Sequence, residues 1–199
     1  MSSSRYTRTA MAFHWLIALL ILCNVLLAWS FDIVPNGWGR PAVDLHKSIG
    51  VTVLGLAVLR LIWRSTHRPP ALPRSFPKLE RAAAHVVHIG LYLLILAIPL
   101  SGWMHDSAWR DAAAFPMHWF GLFEWPRIGF IMHLDPNLKE TLHGLFGRIH
   151  TWLAYVLYGL FLLHVGGALK HEWWDRESVL RRMLPWGRVD GIDGGADGG

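Results

Sequence analysis

An all-α fold, an integral membrane bundle of four helices, is predicted by three observations. Of 199 residues, 53% are apolar and only 17% charged, where an ordinary soluble domain carries about a quarter charged. Mean hydropathy is +0.30. Four stretches, about residues 11–31, 46–63, 83–104 and 149–169, approach the roughly 20 apolar residues that a helix needs to cross a ~30 Å hydrocarbon core. Backbone in lipid must satisfy its own hydrogen bonds, so each stretch is read as helix. The apolar content excludes disorder. The net charge of +5 is dispersed between apolar runs rather than gathered on one face, which excludes a nucleic-acid footprint. Cys23 is the single cysteine, so an intramolecular disulfide, a paired-cysteine zinc site and a c-type haem attachment are excluded.

Each element has its own grounds. The first apolar run is too long for a secretory leader and lacks a small-residue cleavage site, so it is expected to stay attached. The 64–82 connection is rich in Pro and Arg and reads as a short basic loop. The 105–148 connection, with Trp109, Trp119, Trp125 and several His, is long enough for structure at the membrane interface. Residues 187–199 are small and acidic and read as a flexible tail, leaving 1–186 as one membrane domain. Thirteen Lys and Arg fall on the side of the N-terminus, the 64–82 loop and the C-terminal segment, against six on the other side. By the positive-inside rule this predicts a multi-pass membrane protein with both termini cytoplasmic and the 105–148 loop on the opposite side. Trp15, Trp29, Trp63, Trp103, Trp152 and Trp173 lie near span ends, as an interfacial belt would place them.

The twelve histidines carry the functional reading, because polar side chains inside a span are costly and mark function. His14 lies at the cytoplasmic end of the first span and His46 at the outer end of the second. The fourth carries His150 near its outer end and His164 near its inner end. Antiparallel threading sets His14 level with His164 and His46 level with His150, the arrangement that ligates two b-type haems through six-coordinate iron. His150 and His164 are 14 residues apart, about 21 Å along a helix and within ~40° of one face. His143 and His171 continue the same seven-residue ladder. Gly50, Gly147 and Gly167 lie near these positions, where glycine lets a flat macrocycle approach and equally serves ordinary helix packing. A lone intramembrane His also serves as an interhelical hydrogen bond. A His-based metal transporter is the rival reading, but it wants clustered ligands with carboxylates, and the predicted spans hold no Asp or Glu. His85 and His88 read as haem-propionate or quinone contacts, or as plain interfacial residues. His67, His105, His118 and His133 read as loop residues.

No dinucleotide or flavin fingerprint is present, so electrons must pass between small diffusible molecules or a partner protein. A quinone is the natural membrane partner. His171 and Lys170 lie beside the inner pair, where an imidazole can hydrogen-bond a quinone carbonyl and pass a proton. Lys170 reads equally as a snorkelling cation.

The segments RYTRTAMAFHWLIALLIL, LHKSIGVTVLGLAVLRLIWR, AAHVVHIGLYLLILAIPLSGW and HTWLAYVLYGLFLLHVGGALKHEWWDRESVLRRMLP resemble the bacterial cytochrome b561 family, over residues 5–185. The resemblance implies a four-helix inner-membrane protein with two haem b, its matching positions being His14, His46, His150 and His164. Where the family often reads LKHH, this chain has Leu169-Lys170-His171-Glu172 and lacks the second His. Some family members behave as superoxide oxidases, taking electrons from superoxide at the periplasmic side and reducing ubiquinone. The outer side offers Arg40, Lys47, Arg110, Arg127, Lys139 and Arg148 to a small anion, interleaved with acidic residues. The alternative is a non-catalytic electron-transfer subunit passing quinol electrons to a periplasmic partner through the 105–148 loop.

Overall fold

A computed structural model describes residues 5–67, 69–70, 76–184 and 186. The expected tail 187–199, and Arg68, Arg74 and Arg188 of the basic count, lie outside the described residues. Four long helices dominate: α1 (Arg8–Trp29), α2 (Gly39–Thr66), α3 (Lys78–Ser107) and, after a short α4 (Gly129–Met132), α5 (Pro136–Trp173). All but α4 are long and apolar enough to cross a membrane. The molecule is a membrane four-helix bundle. Its large aliphatic side chains, among them Leu16, Leu19, Leu22, Leu59 and Leu162, point outward, as lipid rather than water demands.

The helix ends follow local chemistry. Thr7 caps α1 by accepting from the Ala10 N–H at 3.2 Å. Asp135 caps α5 by accepting from Asn137 and Leu138, with Pro136 in the first position, where its missing N–H costs nothing. The helices outrun the predicted spans at most ends, carrying Asp44, Glu80, Asp106 and Glu172 in their terminal turns. A hydropathy window registers only the lipid-facing length, whereas the backbone stays helical as far as its polar ends find partners. His105, expected in a loop, therefore lies in the last turns of α3.

Packing runs α1 on α2, α2 on α3 and α3 on α5. Ile17, Ile49 and Val53 form the buried joint of α1 and α2. Gly90 marks the close approach of α3 to α5, since a Cβ there would lie 2.6 Å from Leu160 Cδ1. Extensive packing of α5 is confined to α3.

The outer connection adds what an all-helical reading omits, a hairpin of β1 (His118–Trp119) and β2 (Phe123–Glu124), paired antiparallel. Its turn holds Phe120 and Gly121 at φ 49° and 72°, a pair of positive values of the kind tight hairpins use. The otherwise unfavourable Phe120 conformation is held by Ser48 of α2, whose hydroxyl accepts from the Phe120 N–H at 3.0 Å. Trp119 donates to Thr52 Oγ1 at 3.1 Å. The rest of the connection is clamped at Asp106, 6% exposed, which takes Lys47 at 2.6 Å and Arg127 at 2.8 Å. Arg127 also donates to the Ala112 carbonyl at 2.5 Å, and Ser107 accepts from the Ile128 N–H at 3.0 Å.

At the other end the segment before α1 meets the segment after α5. Arg5 donates to the Leu184 carbonyl, and Trp15 donates to the Met183 carbonyl at 2.8 Å. Trp63 donates to Thr7 at 3.1 Å, and back at the outer end Trp103 donates to the Pro126 carbonyl at 3.0 Å. Belt tryptophans thus also tie helix ends to their neighbouring segments.

Candidate functional site

The structure brings the four intramembrane histidines into two pairs. The ring centres of His14 (α1) and His164 (α5) are 6.1 Å apart, as are those of His46 (α2) and His150 (α5). Metal–imidazole bonds are about 2.0–2.1 Å, so two rings on opposite sides of one metal have centres roughly 6 Å apart. Both pairs fit that spacing, and neither is close enough for a direct hydrogen bond between rings in contact.

The surroundings fix which nitrogen is bare. His46 Nδ1 donates to the Asn24 carbonyl at 3.3 Å. His150 Nδ1 donates to the Ile98 carbonyl at 3.0 Å, beside the Ser101 hydroxyl. In a neutral imidazole a proton committed at Nδ1 leaves Nε2 with its lone pair, which is how ligating histidines are commonly oriented. His14 differs: its Nδ1 accepts from Arg60 at 3.2 Å. Both pairs also straddle the line along which α5 lacks extensive packing against α1 and α2. The spacing of both pairs fits a haem iron between them, and the outer pair already offers the bare Nε2 that such an iron requires.

Glycine placement corrects one sequence expectation. Gly147 lies against His105, whose Cε1 would be 3.0 Å from an added Cβ, and not against His150. It is Gly102 of α3, unremarked in the sequence, that lies against His150, at 3.1 Å by the same measure. A Cβ at Gly50 would meet only Asn24, and one at Gly167 nothing within 4 Å.

The ladder's outer rung has a partner of its own. His143 and His105 stack with ring centres 3.9 Å apart, each donating Nδ1–H to the other's carbonyl at 2.9 Å. A cavity of about 400 Å³ adjoins them, bounded also by Arg148 and Trp152. The inner rung, His171, stacks on Phe76 at 4.0 Å and binds Asp175 through Nδ1 at 2.6 Å. Its Nε2 is 3.6 Å from Glu80. Lys170 joins the same carboxylates, at 3.0 Å from Glu80 and from Asp175, so it is a paired cation rather than a snorkelling one. Hydrogen bonds from Lys170, then from His171, hold the Asp175 carboxyl below the ordinary carboxylate range. The contact is thus complete above that range and is lost as pH falls through the depressed value. Of the remaining candidates, exposed His88 meets His164 edge-on at 5.1 Å. His85 is also exposed and donates to the Arg81 carbonyl of its own helix at 2.7 Å.

Comparison with known proteins gives a consistent picture. The family model described as Prokaryotic cytochrome b561 matches residues 5–186. Cytochrome b561 homolog 2 of Escherichia coli (strain K12) is 34% identical over 182 residues, covering 90% of this chain and 91% of that protein. Cytochrome b561 homolog 1 of the same organism is 25% identical, with 92% and 98% covered. A protein of Yersinia pestis named probable superoxide oxidase CybB is 27% identical, with 91% and 96% covered.

Proposed function

The chain belongs to the prokaryotic cytochrome b561 family, and from that premise we propose that it carries electrons across the bacterial inner membrane, from superoxide at the periplasmic face to ubiquinone. Membrane electron transfer with b-type haem goes with the family. The observation that carries the finer reading is the pair of facing histidine couples, 6.1 Å between ring centres in each, stacked about 21 Å apart along α5. His46 and His150 hold the outer haem, His14 and His164 the inner one. A bis-imidazole haem iron supplies reversible one-electron transfer when bound. Superoxide gives up one electron and leaves as dioxygen. Ubiquinone takes two electrons and two protons, so two superoxide ions are consumed per quinol formed.

The chain's own residues divide the remaining work. Asn24 and Ile98 carbonyls orient the outer imidazoles. Arg148, with the more exposed Arg40 and Arg110, supplies outer-side cations for a small anion, Lys47 and Arg127 being held by Asp106. His171 meets Asp175 and Glu80 at the inner face, where an imidazole can pass the proton that quinone reduction needs. Lys170 keeps those carboxylates in place, and His88 and His85 present imidazoles to the membrane nearby. The named superoxide oxidase relative supports this reading.

The test is stopped-flow reduction of the purified haems by superoxide, followed by reoxidation with a ubiquinone analogue. Reduction without a partner protein, and slower reoxidation in His171→Leu at full haem content, are expected. Haems that ignore superoxide favour the second reading, an electron-transfer subunit serving a periplasmic partner. That reading draws on the apolar Phe120, Leu122, Phe123 and Phe130, all exposed on the outer connection.

A further inference from the structure

Arg60 has no place in the electron path described so far. It lies on α2, 14 residues after His46, the same spacing that separates the two ligand positions of α5. It therefore falls on the His46 face of its helix, about 21 Å further in, level with the inner pair. There α2 presents a guanidinium instead of an imidazole. Arg60 donates to His14 Nδ1 at 3.2 Å, and its guanidinium lies 5.2 Å from the Tyr92 ring centre. Arg64, one turn on, lies 5.1 Å from the same ring. Among the described residues neither arginine has a carboxylate within ion-pair distance. The outer end is different, since Lys47 and Arg127 share buried Asp106.

An arginine within a span is costly and is normally matched by an anion. With no carboxylate from the described residues, the anionic oxygens come from a ligand: the carboxylate side chains of a haem or the phosphate of a lipid. The contact to His14 decides for the haem. A neutral imidazole bound to iron through Nε2 keeps its proton on Nδ1, and that nitrogen no longer accepts. Two donors would then face each other, so loading the inner site makes Arg60 release His14 and turn to another acceptor. A guanidinium fork suits a carboxylate in a way that a lysine does not.

We propose that Arg60, with Arg64 beside it across Tyr92, binds the carboxylates of the inner haem and makes that haem the more readily reduced of the two. Positive charge held against a haem favours its reduced state, and the bound anions are screened from the iron. Electrons entering at the outer face therefore run downhill to the inner one. This rests on the ligand reading above. Failure of that reading appears as fewer than two haems per chain in the unsubstituted protein, and takes this inference with it.

The experiment is a spectroscopic redox titration of the purified, haem-loaded protein and of Arg60→Gln, Arg60→Lys and Arg64→Gln. In Arg60→Gln one midpoint should fall so that, at fixed ambient potential, the reduced-to-oxidised ratio of that haem drops at least tenfold, about 59 mV for one electron. Arg60→Lys should recover part of the shift, because charge remains without the fork. The same substitution in a His164→Ala background should leave the remaining, outer haem unmoved. Resonance Raman carboxylate-bending bands of one haem should shift in parallel. Two haems with unchanged midpoints and bands in both Arg60 variants would overturn the proposal. So would a shift that appears only with added anionic lipid, which would make phosphate the partner.

Discussion

His46 and His150 each commit Nδ1 to a backbone carbonyl, while His14 faces a cation. The two couples should therefore behave as separate units. Replacing His164 with Ala should remove the inner haem and leave most of the outer one, and His46→Ala should do the reverse, read as haem per chain by pyridine haemochrome. Two haems in all four single replacements would end the pairing. Gly102 gives a finer probe. Gly102→Val pushes on His150, where a Cβ already meets the ring at 3.1 Å, and should weaken outer haem retention by roughly 10–100-fold, the usual range for disturbed ligand orientation. Gly147→Val presses on His105 instead and should spare it. The depths of the four histidines are legible in sequence, because rise per residue and alternating direction fix them. Their orienting partners are not. A carbonyl of Asn24 or Ile98 has no sequence signature, and spacing along one helix does not give the rotation of its neighbour, so neither Gly102 against His150 nor His105 against Gly147 can be read from it.

Elements show the same division. The four helices follow from apolar runs alone, but their true ends depend on Asp44, Glu80, Asp106 and Glu172 finding partners, and no hydropathy window registers that. The hairpin escapes sequence reading because two-residue strands have no period to detect, and its turn stands on Ser48 and Thr52 of another element. Asp106 is the joint between α3 and the outer connection. Asp106→Ala leaves buried Arg127 without its carboxylate and Lys47 with only the 3.7 Å contact to Asp44, and loss of one member of a buried pair costs about 3–5 kcal/mol. The expected result is a lower melting temperature and rapid proteolysis between residues 108 and 135, with the inner haem retained. A melting curve unchanged by the substitution would show that the clamp is idle.

At the scale of the whole molecule, the segments flanking α1 and α5 meet at one end through Arg5, Trp15, Met183 and Leu184. An even number of spans requires both termini on one side, and the basic residues favour the cytoplasm. A reporter fused after residue 199 should be active as a cytoplasmic fluorescent protein and silent as a periplasmic phosphatase. The opposite pattern would invert the proposed direction of electron flow along with the topology.

The sparse packing between α5 and the α1–α2 pair has a consequence for biogenesis. The helices can enter the bilayer one after another and settle as two loosely apposed halves, hinged through α2 and α3, before any cofactor arrives. Each histidine couple spans that seam, one ring on each side. Ligands that bind both halves stabilise only the closed arrangement, so haem supply would act as the latch.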